Sequence, residues 1–205
     1  MAAAAPVVMH RPLAAEEAAR ADFYALIARL LVDAPDSALL HAIAQAGALA
    51  GDSPLAGAWQ ALVDASSAMD GEAARGEYDA IFSGLGLAKV SIYAGHYTGA
   101  AAADHPRVRI QRDLEALGLA HRSTTQPEDH VGALFDAMRV LVAGGAGRGP
   151  ASLEEQRKFF EDHVRPGASK FFAALAGAGE ANYYRRVAAV GAAFLAIEAE
   201  SFQMD

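Results

Sequence analysis

Apolar residues recur every three or four positions along almost the whole of this chain, and nowhere do they alternate between turn signals as a half-buried strand would require. Phe23, Leu26, Ile27, Leu30 and Leu31 form the first such stripe, the buried face of a helix that Pro35 and Asp36 stop. The spacing predicts a second helix over roughly 37–49, with Leu39, Leu40 and Ile43 inward. A third starts near Pro54, where the missing N–H of a proline costs nothing, and buries Leu55, Trp59, Leu62 and Val63. A fourth runs from about Glu72 to Phe82, with Tyr78, Ile81 and Phe82 on one side. Between Ser83 and Ala103 lie Gly84, Gly86, Gly95 and Gly99, each weakening a helix by about 1 kcal/mol relative to Ala, so a loop and a short helix are expected.

The second half follows the same grammar. Asp104 is placed to cap a helix that turns Ile110, Leu114 and Leu117 inward and ends at Gly118. A polar connector, His121 to Gln126, leads to Pro127, expected to open a periodic helix carrying Val131, Leu134, Phe135, Met138, Leu141 and Val142. The run from Gly144 to Pro150 ends it, and Ser152 with Glu155 forms a capping box for a helix reaching His163. Pro166-Gly167 is expected to break that helix, leaving a short one at Phe171, Phe172 and Leu175 and a long final one from Tyr183 to Ile197. About nine or ten helices joined by short links predict an all-α bundle: one domain over 1–205, with a flexible hinge near 118–127 between two helical halves.

Composition excludes several classes. The 205 residues are enough to bury roughly 70% of the surface an unfolded chain exposes. With no cysteine there is no disulfide, thiolate metal site or cysteine nucleophile. A formal charge of −8 without a basic patch opposes binding to nucleic acid phosphates. The first ten residues lack the basic stretch of a secretory signal, and no long apolar run escapes charge or glycine, so a soluble cytoplasmic protein without an integral membrane segment is expected.

Three constellations are candidates for chemistry. Pro127-Glu128-Asp129-His130 follows the connector, and acidic residues in a first turn serve the helix dipole whatever else they do. At a hinge beside an apolar groove, Glu128, Asp129 and Asp136 would also supply the several carboxylate acceptors that two adjacent guanidinium groups need. A carboxylate di-iron centre requires Glu-x-x-His on one helix face, whereas Glu-Asp-His, here at 128–130 and again at 161–163, sets Glu and His about 200° apart, so no metal is expected. In the second constellation Tyr78 and Phe82 share a face; Phe82 reads as core, while the Tyr78 hydroxyl favours a rim or groove. The third, Ser91-Ile92-Tyr93 with His96 and Tyr97, lacks the nucleophile elbow of a hydrolase, and no phosphate loop follows a strand anywhere. His163, on an aromatic helix face, reads as a satisfied core histidine.

Taken in order, Glu77-Tyr78 with Phe82, Ser91-Ile92-Tyr93, Pro127-Glu128-Asp129-His130 followed by the Met138 helix, and Gln156 with Phe159, Phe160 and His163 resemble the TorD/DmsD/NarJ family of cytoplasmic chaperones for molybdenum-containing redox enzymes. The resemblance implies an all-α fold, no catalysis and no cofactor. It also implies binding of the twin-arginine signal peptide and apo form of an exported molybdoenzyme until its cofactor is inserted. It carries Tyr78, Phe82, Ser91, Tyr93, Pro127, Glu128, Asp129 and His130 over as peptide-binding residues, in a monomer or homodimer. The stretch from Ala94 to Gly99 is similar to a branch associated with formate dehydrogenases. The chain departs from the family at Lys89-Val90, where a proline is common, and at Gly167, where a tryptophan is common. The rival readings are a helical ligand-responsive transcription regulator, which wants a basic N-terminal reader that residues 1–45 do not provide, and a carboxylate di-iron oxidase.

Overall fold

The computed structural model describes residues 13–83, 88–99, 106–119, 126–145 and 148–204. Their order is α1 (Ala15–Val32), α2 (Ser37–Ala44), α3 (Pro54–Ala68), α4 (Gly71–Phe82), α5 (Gly95–Thr98), α6 (Pro106–Ala116), α7 (Val131–Ala143), α8 (Leu153–Phe159), a π-helical turn (Phe160–Val164), α9 (Arg165–Gly177) and α10 (Tyr183–Met204). Among the described residues there is no strand, only the isolated antiparallel bridges Tyr93–His130 and Gly145–Arg148. The fold is an all-α bundle.

Local sequence explains the starts of α2, α3, α4 and α8. The side chains of Asp36, Ser53 and Asp70 accept the N–H groups of Leu39, Ala56 and Ala73, the last two caps standing just before Pro54 and Gly71. At α8 the capping box is complete: the Ser152 hydroxyl accepts the Glu155 N–H at 3.2 Å, and the Glu155 carboxylate accepts the Ser152 N–H at 2.7 Å.

The core forms where α1 lies along α7 and where α10 packs against α3 and α9. Tyr24, Phe135, Phe172 and Phe194 meet there, with ring centroids 4.8 Å apart for Tyr24–Phe194 and 5.6 Å for Tyr24–Phe135. One charged network enters this interior. Glu198, 1% exposed, receives Arg20 through two hydrogen bonds of 2.8 Å and the Tyr24 hydroxyl at 2.7 Å. By length and apolar composition α10 is the one described helix that could cross a membrane. In this fold its inner face is spent on α1, α3, α4 and α9, and that face carries the paired Glu198.

Three expectations are corrected. The second helix ends at Ala44 rather than near 49, because the chain turns there and the Gly47 carbonyl accepts the Trp59 indole N–H at 2.9 Å. The helix after the connector begins at Val131, not Pro127; residues 127–130 form a turn closed by the His130 N–H on the Pro127 carbonyl at 3.0 Å. Pro166-Gly167 does not break its helix: α8, the π turn and α9 run on without interruption. A proline inside an α-helix collides with the carbonyl four residues back, and the widened π turn directly before Pro166 relieves that register. Gly167 also leaves room: a Cβ there would stand 2.5 Å from the Ala94 Cβ, so the larger residue common in the resembled family has no space. The expected Asp104 cap and most of the 118–127 hinge lie outside the described residues.

Candidate functional site

A close approach of α1 and α7 depends on a missing side chain. A Cβ on Gly132 would sit 2.9 Å from Val32 Cγ2 and 3.1 Å from the Ala28 carbonyl oxygen. Beside this contact the two helices, with the end of α6 and the turn before α7, enclose a cleft of about 890 Å³. Its lining is small and aliphatic: Ala25, Ala28, Ala133 and Ala137, with Val32, Leu114, Leu119 and Val140. Its charged members are Glu128 and Asp136, with Arg29 and Arg139. The volume is at the upper end of the roughly 300–1,000 Å³ typical of ligand sites, and an apolar lining with few charges is their usual chemistry.

The carboxylates in this cleft are already held. Arg107 Nε donates to Glu128 Oε2 at 2.5 Å, and Arg139 Nε donates to Asp136 Oδ1 at 2.6 Å. Arg29 instead donates to the carbonyls of Asp33 and Ala34, closing the exposed end of α1.

Next to the cleft, residues 91–94 run alongside the turn before α7. The Ala94 N–H donates to the Asp129 carbonyl at 2.8 Å, and the Val131 N–H donates to the Ile92 carbonyl at 3.0 Å. Asp129 and His130 are 7% and 3% exposed, which corrects the expectation of freely offered groups at a hinge. Each is consumed locally. The Asp129 carboxylate fills the space a side chain would need at residue 95, with Oδ2 2.7 Å from the position of a Gly95 Cβ. His130 is the N-cap of α7: its Nδ1 accepts the Gly132 N–H at 3.1 Å, which fixes the proton on Nε2 when the ring is neutral. Burial drives its pKa from 6.5 down to about 4.

The other expected residues divide in two. Tyr93 is 40% exposed and packs edge-on against the His130 ring at 5.9 Å, so it offers an aromatic surface beside the cleft. Ser91 shapes the same loop: its carbonyl accepts the Tyr97 hydroxyl at 2.7 Å. Pro127 supplies the turn carbonyl already described, and Glu128 lines the cleft. Tyr78 reaches this region from α4, donating its hydroxyl to the carbonyls of Leu31 and Val32 at 3.1 and 3.2 Å. Burial, helped by Asp33, pushes its pKa up to about 12, so it stays a neutral donor. Phe82 does not join the group; it is packed among Tyr78, Tyr184 and Phe171.

Several residues have structural work that the sequence reading did not assign. The Glu77 carboxylate accepts the N–H groups of Asn182, Tyr183 and Tyr184 at 2.8, 3.1 and 2.8 Å, capping α10 from a different helix. His163 is buried and donates from Nε2 to Asp113 Oδ2 at 2.8 Å, consistent with the core role read from its aromatic setting. The apolar wall of the cleft and the Arg20–Glu198 pair were missed. Glu198 did leave a signal, since it falls in phase with Val187, Val190 and Phe194 on the face of α10 that faces inward. Among the described residues, no three His, Asp or Glu side chains converge in a way that could hold a metal ion.

A family model described as nitrate reductase delta subunit matches residues 49–173, more than half of the chain. The match spans α3 to α9 and so includes Glu128, Asp136 and the α7 side of the cleft, while α1 and α10 lie outside it. No curated protein matches the chain.

Proposed function

The chain belongs to the nitrate reductase delta subunit family, chaperones of molybdoenzyme maturation that are not themselves catalysts, and from that premise we propose that it receives the twin-arginine signal peptide of an exported molybdoenzyme in the cytoplasm. The observation that carries this reading is the cleft between α1 and α7, where an apolar lining and two carboxylates, Glu128 and Asp136, occur together. A twin-arginine leader has the complementary form: two guanidinium groups followed by an apolar, helix-prone segment. Helix-in-groove binding buries the apolar part at about 25 cal/mol per Å², while charge-assisted hydrogen bonds fix the register.

In this reading the eight motif residues act by two routes. Glu128 and the exposed Tyr93 touch the peptide. Ser91, Pro127, Asp129 and His130 hold the 91–94 loop and the start of α7 in place beneath it. Tyr78 ties α4 to the end of α1 at Val32, which lines the cleft, and Phe82 supports Tyr78. The client we propose is of the formate dehydrogenase type, on the sequence from Ala94 to Gly99, which forms α5 and meets α9 through Lys170 and the Tyr97 carbonyl at 2.9 Å.

The test is calorimetric titration with a client leader peptide and its twin-alanine counterpart. The reading expects the twin-arginine peptide to bind at least about tenfold more tightly, the order of one or two charge-assisted contacts. Equal affinities would remove it. A panel of leaders from different molybdoenzymes then tests the client class, with the formate dehydrogenase leader expected to be tightest.

A further inference from the structure

Resting on the reading of the cleft as a twin-arginine receptor, we propose that Arg107 and Arg139 are resident stand-ins for the ligand's two arginines, and that displacing them sets which cationic segments the cleft accepts. Glu128 and Asp136 are the two carboxylates of the cleft, and each bears a guanidinium of the chain itself, Arg107 from α6 and Arg139 from α7. The resident contacts have the chemistry the ligand would bring. An incoming guanidinium therefore exchanges one charge-assisted bond for another of the same kind, and a lone arginine or lysine gains little by entering.

Net gain comes only when the same segment also covers the aliphatic lining, where Val32 is 40% exposed and Leu119 and Val140 are half-buried. The exchange makes recognition conjunctive: charge alone is answered internally, and grease alone leaves the carboxylates with their resident partners. Arg29 provides the contrast. It lines the same cleft, yet its hydrogen bonds go to backbone carbonyls at the end of α1 rather than to a carboxylate of the cleft.

The experiment compares Arg107→Gln, Arg139→Gln and Arg112→Gln, each removing one positive charge. Arg112 is also on α6, but the carboxylate it pairs with, Asp113 at 3.2 Å, does not line the cleft. Binding of twin-arginine and twin-alanine leader peptides is measured for each variant and for the unaltered protein. The expected result is that Arg107→Gln and Arg139→Gln each tighten the twin-arginine peptide about twofold to fivefold, the scale of one exposed ion pair. The twin-alanine affinity and both affinities of Arg112→Gln should be unmoved. Unchanged or weakened twin-arginine binding in the two cleft variants overturns the inference, as does equal tightening by Arg112→Gln, which would mean general electrostatics. If the unaltered protein does not distinguish the two peptides, the receptor reading falls and the inference with it. If it does distinguish them and the cleft variants change nothing, this inference alone fails.

Discussion

The imidazole of His130 is neutral in the folded chain because burial opposes its charge and because Nδ1 must stay an acceptor to cap α7. An unfolded chain takes up this proton near pH 6.5, whereas the folded one refuses it until about pH 4. The stability held by the neutral ring is therefore complete above pH 6.5 and drains away as pH falls toward 4, by an amount on the order of 3 kcal/mol. Urea denaturation at pH 7 and pH 5 should show the loss in the unaltered protein and much less of it in His130→Asn, which keeps an acceptor at the cap. An equal pH dependence in the variant would contradict the assignment. Glu77 gives a second test at this scale. Glu77→Ala strips three N–H groups at the start of α10 of their acceptor and should cost about 2 kcal/mol or more in the same assay. Of the motif residues, the types were legible in the sequence and the roles were not. Nothing in Glu77-Tyr78 says that the carboxylate caps a helix about a hundred residues later, and nothing in Glu-Asp-His says that a glycine at 95 makes room for the Asp.

At the level of elements, spacing and caps located most helices because each depends on neighbours within four residues. The failures fall where a distant contact or an altered register decides. The short α2 answers to an indole in α3, the late start of α7 to pairing with residues 92–94, and the unbroken passage through Pro166 to a π turn. The contact of α1 with α7 was likewise invisible, although it forms the cleft. Gly132→Ala tests it. A methyl group pressing on Val32 and the Ala28 carbonyl must part the helices, which should destabilise the protein by about 1–3 kcal/mol and weaken the leader peptide as well. Substituting Gly57, whose Cβ would meet nothing within 4 Å, should leave peptide binding as it was. Equal peptide affinity for Gly132→Ala would separate the α1–α7 contact from recognition.

For the molecule as a whole, charge is segregated in a way that its total conceals. Residues 30–88 hold eight Asp or Glu and one Arg, a net of −7 out of −8, so the stretch that runs through α2, α3 and α4, its caps and connecting turns included, carries nearly all of the excess while the remainder is close to neutral. Such a field draws a basic leader toward the end of α1, where Val32 and Asp33 adjoin the cleft. The association rate of a twin-arginine peptide should fall by about tenfold between roughly 0.02 and 0.5 M salt, as the screening length shortens to a few ångströms. Stopped-flow fluorescence would measure it, and a flat rate would exclude steering. The central claim is narrower, that the leader lies between α1 and α7. A twin-arginine peptide carrying a photoreactive side chain in its apolar stretch, cross-linked to the protein and mapped by mass spectrometry, tests it directly. The account predicts attachment to Val32, Ala133, Ala137 or Val140; attachment confined to the α8–α9 face or to the outer side of α10 would contradict it.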